Sequence, residues 1–247
     1  MTQKPKILFY DLETTPSHGY VWGKYDQTVL KFTAHRELLS VAYKWHGESK
    51  IHCETREGQK SDKALVARLH ALFNEADILV AHNGDSFDAK VARARFSFHR
   101  MAPTKVLASV DTRKVARDYF SFNGNSLSDL ADFFNLGAKG SVGSGIELWL
   151  ACMRNEPAAW RKMERYNKQD VRLLAKLYTV LRPYMLKHPN VARILDPRGT
   201  APACGVCGSL HVKRNGIRAT VAAVKQQYMC NRCGSRFETR FSRKEAA

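Results

Sequence analysis

The sequence predicts an α/β protein in which a mixed sheet of five strands is flanked by helices and followed by a small cysteine-rich module. Strand-like apolar segments come first, strands and helices then alternate, and helical periodicity dominates the second half before two CxxC pairs near the C-terminus. A length of 247 residues suits one medium domain plus a small appendix.

Five segments have the composition of strands. The first runs from Lys6 to Glu13 and ends before Pro16, which cannot donate a ladder hydrogen bond. The others cover residues 38–45, 50–54, 78–81 and 106–110. A short turn-prone link, residues 46–49, separates the second segment from the third, so we expect a hairpin antiparallel to the first strand.

Helical spacing of apolar residues predicts helices over residues 63–74, 87–99, 111–119, 126–135 and 156–186, the last long enough to be broken. Ser61 or Asp62 is expected to cap the first helix, and Asp85-Ser86 the second. The glycine-rich segment 137–145 lacks the order of a phosphate-binding P-loop and is interpreted as a loop.

Prolines 197 and 202 mark a linker near the C-terminus. We therefore expect a main domain at residues 1–195, a linker at 196–201 and a cysteine module at 202–247. There is no stretch of 18 apolar residues, and the first six residues lack the apolar run of a signal peptide. The expectation is a cytoplasmic protein with no membrane partner.

The charge balance points to a polyanionic partner. The chain carries 40 Lys+Arg against 23 Asp+Glu, a formal charge of +17, and its pI is about 9.8. Ten Lys/Arg and two acids lie in the last 50 residues, so the tail contributes +8 and the body +9. A basic tail that merely aids solubility or binds any anion is the alternative.

Three segments carry acidic residues in positions that suit metal chemistry. Asp11 and Glu13 lie two apart on a predicted strand, so they share a face and can share a divalent cation. Asp88 begins a helix after a short strand, where it can equally complement the helix dipole. Tyr166 and Asp170 are four apart on a helix, so the phenol can orient a water beside a metal held by the aspartate.

These segments resemble the three motifs of the DEDD superfamily of exonucleases. The matching stretches are YDLET at 10–14, HNGDSFD at 82–88 and YNKQD at 166–170, and the resemblance covers residues 6–184. Residues 125–140 also resemble the helix and loop before the third motif in polymerase proofreading domains. The motif has Tyr166 four residues before Asp170, and Arg165 where other members carry histidine, which indicates the tyrosine subclass, DEDDy.

The resemblance implies a ribonuclease H-like fold whose four acids gather at the sheet edge and bind two Mg²⁺ or Mn²⁺ ions. Asp11 is expected to bridge both ions, and Glu13 and Asp170 to complete the site that activates water. Asp88 would support the second ion, and Tyr166 would aim the water.

By the same resemblance, Asn83 and the backbone around Leu12 and Thr14 would contact the terminal nucleotide. The function implied is a 3′→5′ exonuclease, on DNA more than RNA, in replication, repair or recombination, possibly phage-encoded and working with replication or repair proteins. Two alternatives stay open. One is a structure-selective endonuclease on this fold, and the other is a non-catalytic nucleic-acid-binding adaptor.

The cysteine module has the spacing of a zinc site. Two CxxC pairs are separated by 22 residues, and four thiolates suit one structural Zn²⁺ in tetrahedral geometry. The ligands would be Cys204, Cys207, Cys230 and Cys233. Gly208 and Gly234 follow the pairs where the chain must turn tightly, and residues 212–229 can form a hairpin.

Residues 202–237 resemble the zinc ribbons of some transposases. Basic residues interleaved with aromatic ones suit contacts to a nucleic-acid backbone and stacking on bases. The basic set is Lys213, Arg214, Arg218, Lys225, Arg232, Arg236 and Arg240, and the aromatic set is Tyr228, Phe237 and Phe241. A ribbon that only staples the C-terminus or docks on a protein is the alternative.

Overall fold

A computed structural model describes residues 5–23, 25, 28–105, 108–138, 146–199 and 201–240. Some sequence-based expectations fall outside those residues: Val106 of the fifth strand, positions 139–145 of the glycine-rich loop, Thr200 of the linker, and Phe241.

The elements that the sequence predicts occur in the expected order, together with several that it does not predict. The strands are β1 (Ile7–Thr14), β2 (His18–Tyr20), β3 (Lys31–Ala34), β4 (Leu38–Trp45), β5 (His52–Thr55), β6 (Ile78–Ala81), β7 (Ala108–Asp111), β8 (Val212–Ala219), β9 (Val224–Cys230) and β10 (Arg236–Arg240). The helices are α1 (Lys63–Glu75), α2 (Asp88–Phe98), α3 (Thr112–Tyr119), α4 (Leu127–Phe133), α5 (Glu147–Met153), α6 (Pro157–Leu181) and α7 (Val191–Leu195).

The main sheet has five strands in the order β5-β4-β1-β6-β7. β1 pairs with β4 antiparallel and with β6 parallel, while β4 and β5 are antiparallel and β6 and β7 parallel. The predicted mixed five-stranded sheet, with a hairpin beside the first strand, is therefore confirmed.

Both faces of β1 are buried, which explains its uninterrupted apolar start. Ile7 and Phe9 belong to a core shared with α3, α4 and α6. Leu8, Tyr10 and Leu12 belong to a second core, shared with α1 and α2. Because side chains alternate along a strand, the next odd-numbered residues of β1 face the α6 side of the sheet.

Several boundaries differ from the predictions. The long helix α6 ends at Leu181 and is followed by a 3₁₀ turn at Arg182–Tyr184, because Pro183 cannot continue the helical hydrogen bonds. α2 begins after Phe87 and has no side-chain cap, since Asp85 accepts a hydrogen bond from Ser109 instead. The sequence analysis did not predict β2, β3, β10, α5 or α7.

The C-terminal module is an antiparallel sheet in the order β10-β9-β8, and β8 and β9 form the predicted hairpin. Gly208 and Gly234 have φ angles of +73° and +76°, which suits glycine at these turns. The module docks on α7, where the Val191 N–H donates to the Gly205 carbonyl over 2.6 Å. None of the helices in the described residues is both long and apolar enough to cross a membrane.

A buried ion pair connects α2 and the residue before α1 to the start of β4. Asp62 and Arg95 form a bidentate pair of 2.6 and 2.8 Å, and Asp62 also contacts His99 and accepts the Leu38 N–H. Asp62 occupies the N-cap position of α1, but its side chain accepts no helix N–H, whereas Ser61 Oγ accepts the Lys63 N–H over 3.2 Å. The Asp62 carboxylate instead makes tertiary contacts.

We expect Asp62→Asn to lower the free energy of unfolding by about 3–5 kcal/mol, because Arg95 would stay buried without its charge partner. Urea denaturation measures the change. As a control, Glu75→Gln breaks the exposed pair with Lys6 and should leave the free energy of unfolding nearly unchanged, because solvent screens surface pairs. Equal effects of the two substitutions would contradict the assignment.

The same pair predicts a pH dependence. Burial raises the pKa of Asp62, but Arg95 and the Leu38 N–H lower it more, so the folded pKa lies below 3.8. A depressed carboxyl pKa stabilises the fold above the unfolded value, and this stabilisation is lost as pH falls through the folded value. As pH falls below 3.8, the free energy of unfolding of the wild type should therefore decrease, and Asp62→Asn should lack this contribution to the decrease.

Candidate functional site

Three carboxylates meet at the carboxyl-terminal end of the central strand. Asp11 and Glu13 lie on the α6 face of β1, and Asp170 lies on α6 itself. One oxygen from each falls within 4.8 Å of the others. Asp170 is buried and the other two are half-buried, so the group is open to solvent from one side.

A buried amide holds Asp11 in this group. Asn167, one turn before Asp170 on α6, donates from Nδ2 to Asp11 Oδ2 over 2.6 Å. The amide is itself oriented by Ser40, whose hydroxyl donates to Asn167 Oδ1 over 2.9 Å. Neither Asn167 nor Ser40 is exposed. Hydrogen bonds from Ser40 on β4 through Asn167 on α6 thus fix the position of Asp11 Oδ2 on β1.

Trp149 holds Glu13 in a similar way. The indole Nε1 donates to Glu13 Oε2 over 2.9 Å. Its ring also meets the Tyr166 ring edge-on, with centroids 6.1 Å apart. Trp149 lies on α5, which packs through Leu148 against the start of α6. Sequence reasoning missed both Trp149 and Asn167. Only Asn167 had a signal, a polar residue within the YNKQD segment.

Asp88 is next to this group but outside it. Its Oδ1 accepts the Leu12 N–H over 3.1 Å, on the edge of β1 that β6 no longer covers beyond Phe9. Burial raises the pKa of Asp88 to about 7, although the Leu12 hydrogen bond opposes that rise. The structure brings Asp88 to the strand that carries Asp11, and its role with a second cation stays a prediction.

Asn83 occupies a strained turn beside α2. Its φ is +68°, and its N–H donates to Asp111 Oδ1 over 2.9 Å. The Asn83 side chain accepts a hydrogen bond from Arg113 over 3.0 Å. The Leu12 N–H is used by Asp88, and Thr14 ends β1 half-buried. Nucleotide contacts by Asn83, Leu12 and Thr14 therefore remain predictions.

The donor set suits a hard divalent cation. Carboxylate oxygens are the protein ligands that Mg²⁺ and Mn²⁺ prefer, and a solvent-facing side leaves room for the waters that Mg²⁺ retains. Three negative charges this close repel one another, and a divalent cation among them would offset that repulsion.

The four cysteines of the C-terminal module form a second candidate metal site. Their Sγ atoms all lie within 4.8 Å of one another, and Cys204 to Cys233 and Cys207 to Cys230 are each 3.6 Å apart. A disulfide would require about 2.05 Å between sulfurs. Four ligands at about 2.3 Å from a tetrahedral zinc stand about 3.8 Å apart, so the arrangement fits zinc.

Among the basic side chains that the structure describes in the module, two groups can be distinguished. Arg218 and Lys225 form ion pairs with Glu238, which lowers the pKa of that carboxyl. Lys213, Arg214, Arg232 and Arg236 are exposed.

The predicted base stacking by the aromatic residues is wrong for Tyr228. This side chain is 4% exposed and stacks on Phe237 with ring centroids 5.5 Å apart. Tyr228 instead packs inside the module.

A mixed sheet with acidic residues on its central strand, completed by an aspartate from a long helix, defines a ribonuclease H-like fold. The chain belongs to the RNase H superfamily, whose family model matches residues 8–182. No curated protein matches the sequence.

Among solved structures, the chain is similar to the family B DNA polymerase from the hyperthermophilic archaeon Pyrobaculum calidifontis. The TM-score is 0.57 and the sequence identity 17%, over 74% of this chain. The match covers 25% of the polymerase chain, so the likeness concerns a fold within a much larger protein.

The contacts of Asn167 generate a prediction about cation binding. We expect Asn167→Ala to weaken Mn²⁺ binding about 10- to 100-fold, because groups that orient a metal ligand typically contribute that much. Isothermal titration with Mn²⁺ measures the affinity. Asn74→Ala, on the exposed side of α1, is the matched control and should bind as the wild type does. Unchanged affinity in Asn167→Ala would contradict the assigned contact.

Proposed function

We propose that this protein is a metal-dependent 3′→5′ exonuclease of the tyrosine subclass, which hydrolyses phosphodiester bonds at the 3′ end of nucleic acid, DNA more than RNA. The observation that carries the proposal is the convergence of Asp11, Glu13 and Asp170 within 4.8 Å, with Tyr166 one turn before Asp170 on α6. Family membership supports it, because it supplies the fold on which such a cluster is built.

Each residue has a task that its position allows. Divalent cations bound by the carboxylates would supply charge neutralisation at the scissile phosphate and lower the pKa of the attacking water. Asp11 and Glu13 would contribute ligand oxygens from β1, and Asp170 from α6. Tyr166 offers a hydroxyl to orient the water, and its ring is held by Trp149. Asp88 completes the set of four acids.

DNA is the proposed substrate for two reasons. The chain carries a formal charge of +17, which favours a polyanion. The similar solved structure is named as a DNA polymerase. Because the match spans a quarter of that chain, polymerase activity is no part of the proposal. Replication, repair or recombination is the proposed setting.

The C-terminal module is proposed to hold one structural Zn²⁺ and to bind nucleic acid. The division into a catalytic domain at residues 1–195, a linker at 196–201 and a ribbon at 202–247 belongs to this proposal. Exposed Lys213, Arg214, Arg232 and Arg236 provide its phosphate contacts. Arg218 and Lys225 contribute less, because Glu238 neutralises part of their charge.

We expect Asp11→Asn and Asp170→Asn to lower the rate of mononucleotide release more than about 100-fold, because each loses an anionic ligand for the cations. Gels of 5′-labelled DNA and RNA, with Mg²⁺, Mn²⁺ or EDTA, measure the activity. Asp118→Asn, which keeps all three clustered acids, is the matched control and should retain activity.

Each result on those gels has one meaning. Stepwise shortening from the 3′ end, lost in EDTA, supports the exonuclease. A few discrete internal cuts would show an endonuclease instead, and binding without any turnover would show an adaptor. Undiminished degradation by both Asp11→Asn and Asp170→Asn would overturn the active-site assignment.

For the module, we expect one zinc per chain in the wild type and none in Cys207→Ser, because a structural site needs all four thiolates. Loss of zinc should unfold the ribbon, weaken DNA binding and flatten its salt dependence, while the hydrolytic step remains. Elemental analysis and fluorescence anisotropy between 50 and 200 mM salt measure the two effects.

Cys53→Ser is the matched control, since this half-buried cysteine lies on β5, outside the four-cysteine cluster. It should retain zinc and the wild-type salt slope. Full zinc content in Cys207→Ser, or an unchanged salt slope after zinc loss, would contradict one or the other half of the prediction.

A further inference from the structure

A hairpin with exposed aromatic side chains follows the strand that carries Asp11 and Glu13. It consists of β2, β3 and the residues between them, and we name it the aromatic hairpin, residues 18–34. Trp22 is 84% exposed and Tyr25 is 89% exposed, while Tyr20 and Phe32 are 65% and 59% exposed. Large rings are usually buried, so an exposed group of them marks an interaction surface.

The two strands of the hairpin are short and lie close together. Val29 lies against Gly19, where an added Cβ would be 2.3 Å from the Val29 side chain. Strands of three and four residues bury little surface by themselves. The exposed ring faces of Trp22, Tyr20 and Phe32 can therefore take a stacking partner.

The hairpin is attached at the carboxylate site. The Thr15 N–H donates to the Glu37 carbonyl over 2.8 Å, and the Glu37 N–H donates to Thr15 Oγ1 over 3.0 Å. These bonds close the base of the hairpin just after Glu13. His18, where the hairpin begins, is five residues from Glu13, a chain distance of no more than about 18 Å.

Two further contacts place the hairpin beside the other site elements. A cleft between its base and α5 is lined by His18, Ala34 and Met153, and α5 also carries Trp149. Arg36, just after the hairpin, lies over the Phe87 ring at 5.4 Å, directly before Asp88. A nucleic-acid strand that runs from the carboxylates towards α5 or Phe87 would pass the hairpin.

The charge of this segment suits a nucleic acid. Residues 18–36 contain three Lys/Arg and two His against a single acid. Cationic side chains beside exposed rings provide the two contacts that single strands use, which are attraction to phosphates and stacking on bases. A duplex offers no free base faces along its length, so rings of this kind favour unpaired nucleotides.

We propose that the aromatic hairpin stacks unpaired bases of the strand whose 3′ end lies at the carboxylates, and thereby directs the enzyme to single-stranded DNA ends. This inference rests on the proposed exonuclease function. Stacking accepts any base, because every base has an aromatic face. The preference would therefore concern strandedness and length, with little dependence on sequence.

The test is single-turnover degradation of a 5′-labelled 20-nucleotide single strand in Mg²⁺ at increasing enzyme concentration. In Trp22→Ala the half-saturating concentration should rise about 5- to 150-fold, the range that alanine substitution of a base-stacking ring gives. The limiting rate should stay that of the wild type, since Trp22 is not part of the carboxylate group. Trp22→Phe should recover most of the affinity.

Phe133→Ala is the matched control, because Phe133 is 65% exposed on α4, outside the hairpin. It should bind as the wild type does. A dinucleotide substrate, too short to reach the hairpin, should be degraded equally by wild type and Trp22→Ala. Abasic sites placed one at a time from the 3′ end should weaken wild-type binding at the positions that reach the hairpin, and should cost Trp22→Ala nothing further there.

The outcomes separate this inference from the function on which it rests. If the wild type releases no mononucleotides, the exonuclease proposal fails. If the wild type degrades DNA but Trp22→Ala and Tyr25→Ala both keep wild-type half-saturation, only the hairpin proposal fails. A shift of Trp22→Ala in oligomeric state on gel filtration, with unchanged DNA affinity, would show self-association and would also overturn it.

Discussion

Mutual repulsion among Asp11, Glu13 and Asp170 is the constraint around which this site is built. Two unit charges 4 Å apart repel by about 4 kcal/mol at an effective dielectric constant of 20, so three carboxylates within 4.8 Å oppose folding appreciably. Hydrogen bonds from Asn167 and Trp149 orient these groups, and neutral donors stabilise charge without cancelling it. Keeping these three acids together lowers the stability of the fold, and bound cations would offset part of the repulsion.

The sheet makes this arrangement possible through a difference in strand length. β1 extends to Thr14, whereas its pairing with β6 ends at Phe9. The uncovered edge of β1 leaves the Leu12 N–H available, and Asp88 at the start of α2 accepts it. One face of the same stretch carries Asp11 and Glu13. The extension therefore supports two acids directly and fixes a third through its backbone.

Periodicity and composition predicted the mixed five-stranded sheet and the hairpin beside its first strand, because each strand is long enough, or buried enough, to show a pattern. The sequence did not predict β2, β3, α5 or α7, since segments of three to seven residues are too short to show a clear period. The acids of the site were recognisable as carboxylates in three separate segments. Asn167 and Trp149 were missed because their roles depend on tertiary contacts that no local pattern reports, and Tyr228 was misjudged because an aromatic residue in a basic segment can equally be a core residue.

Helix α6 carries Asp170 near its middle, packs against α5 at its N-terminal half, and ends near the cysteine module. At 1.5 Å per residue, Asp170 stands about 17 Å from the C-terminal end of the helix at Leu181. Just beyond that end, Pro183 lies against Gly234 of the cysteine module. The N-terminal half of α6 packs against α5, which lines the cleft beside the aromatic hairpin. The carboxylates therefore lie between a basic module on one side and exposed aromatic rings on the other. A nucleic-acid end bound at the carboxylates would have the proposed phosphate contacts and the proposed stacking rings in different directions, so the two surfaces would contribute to affinity independently of each other.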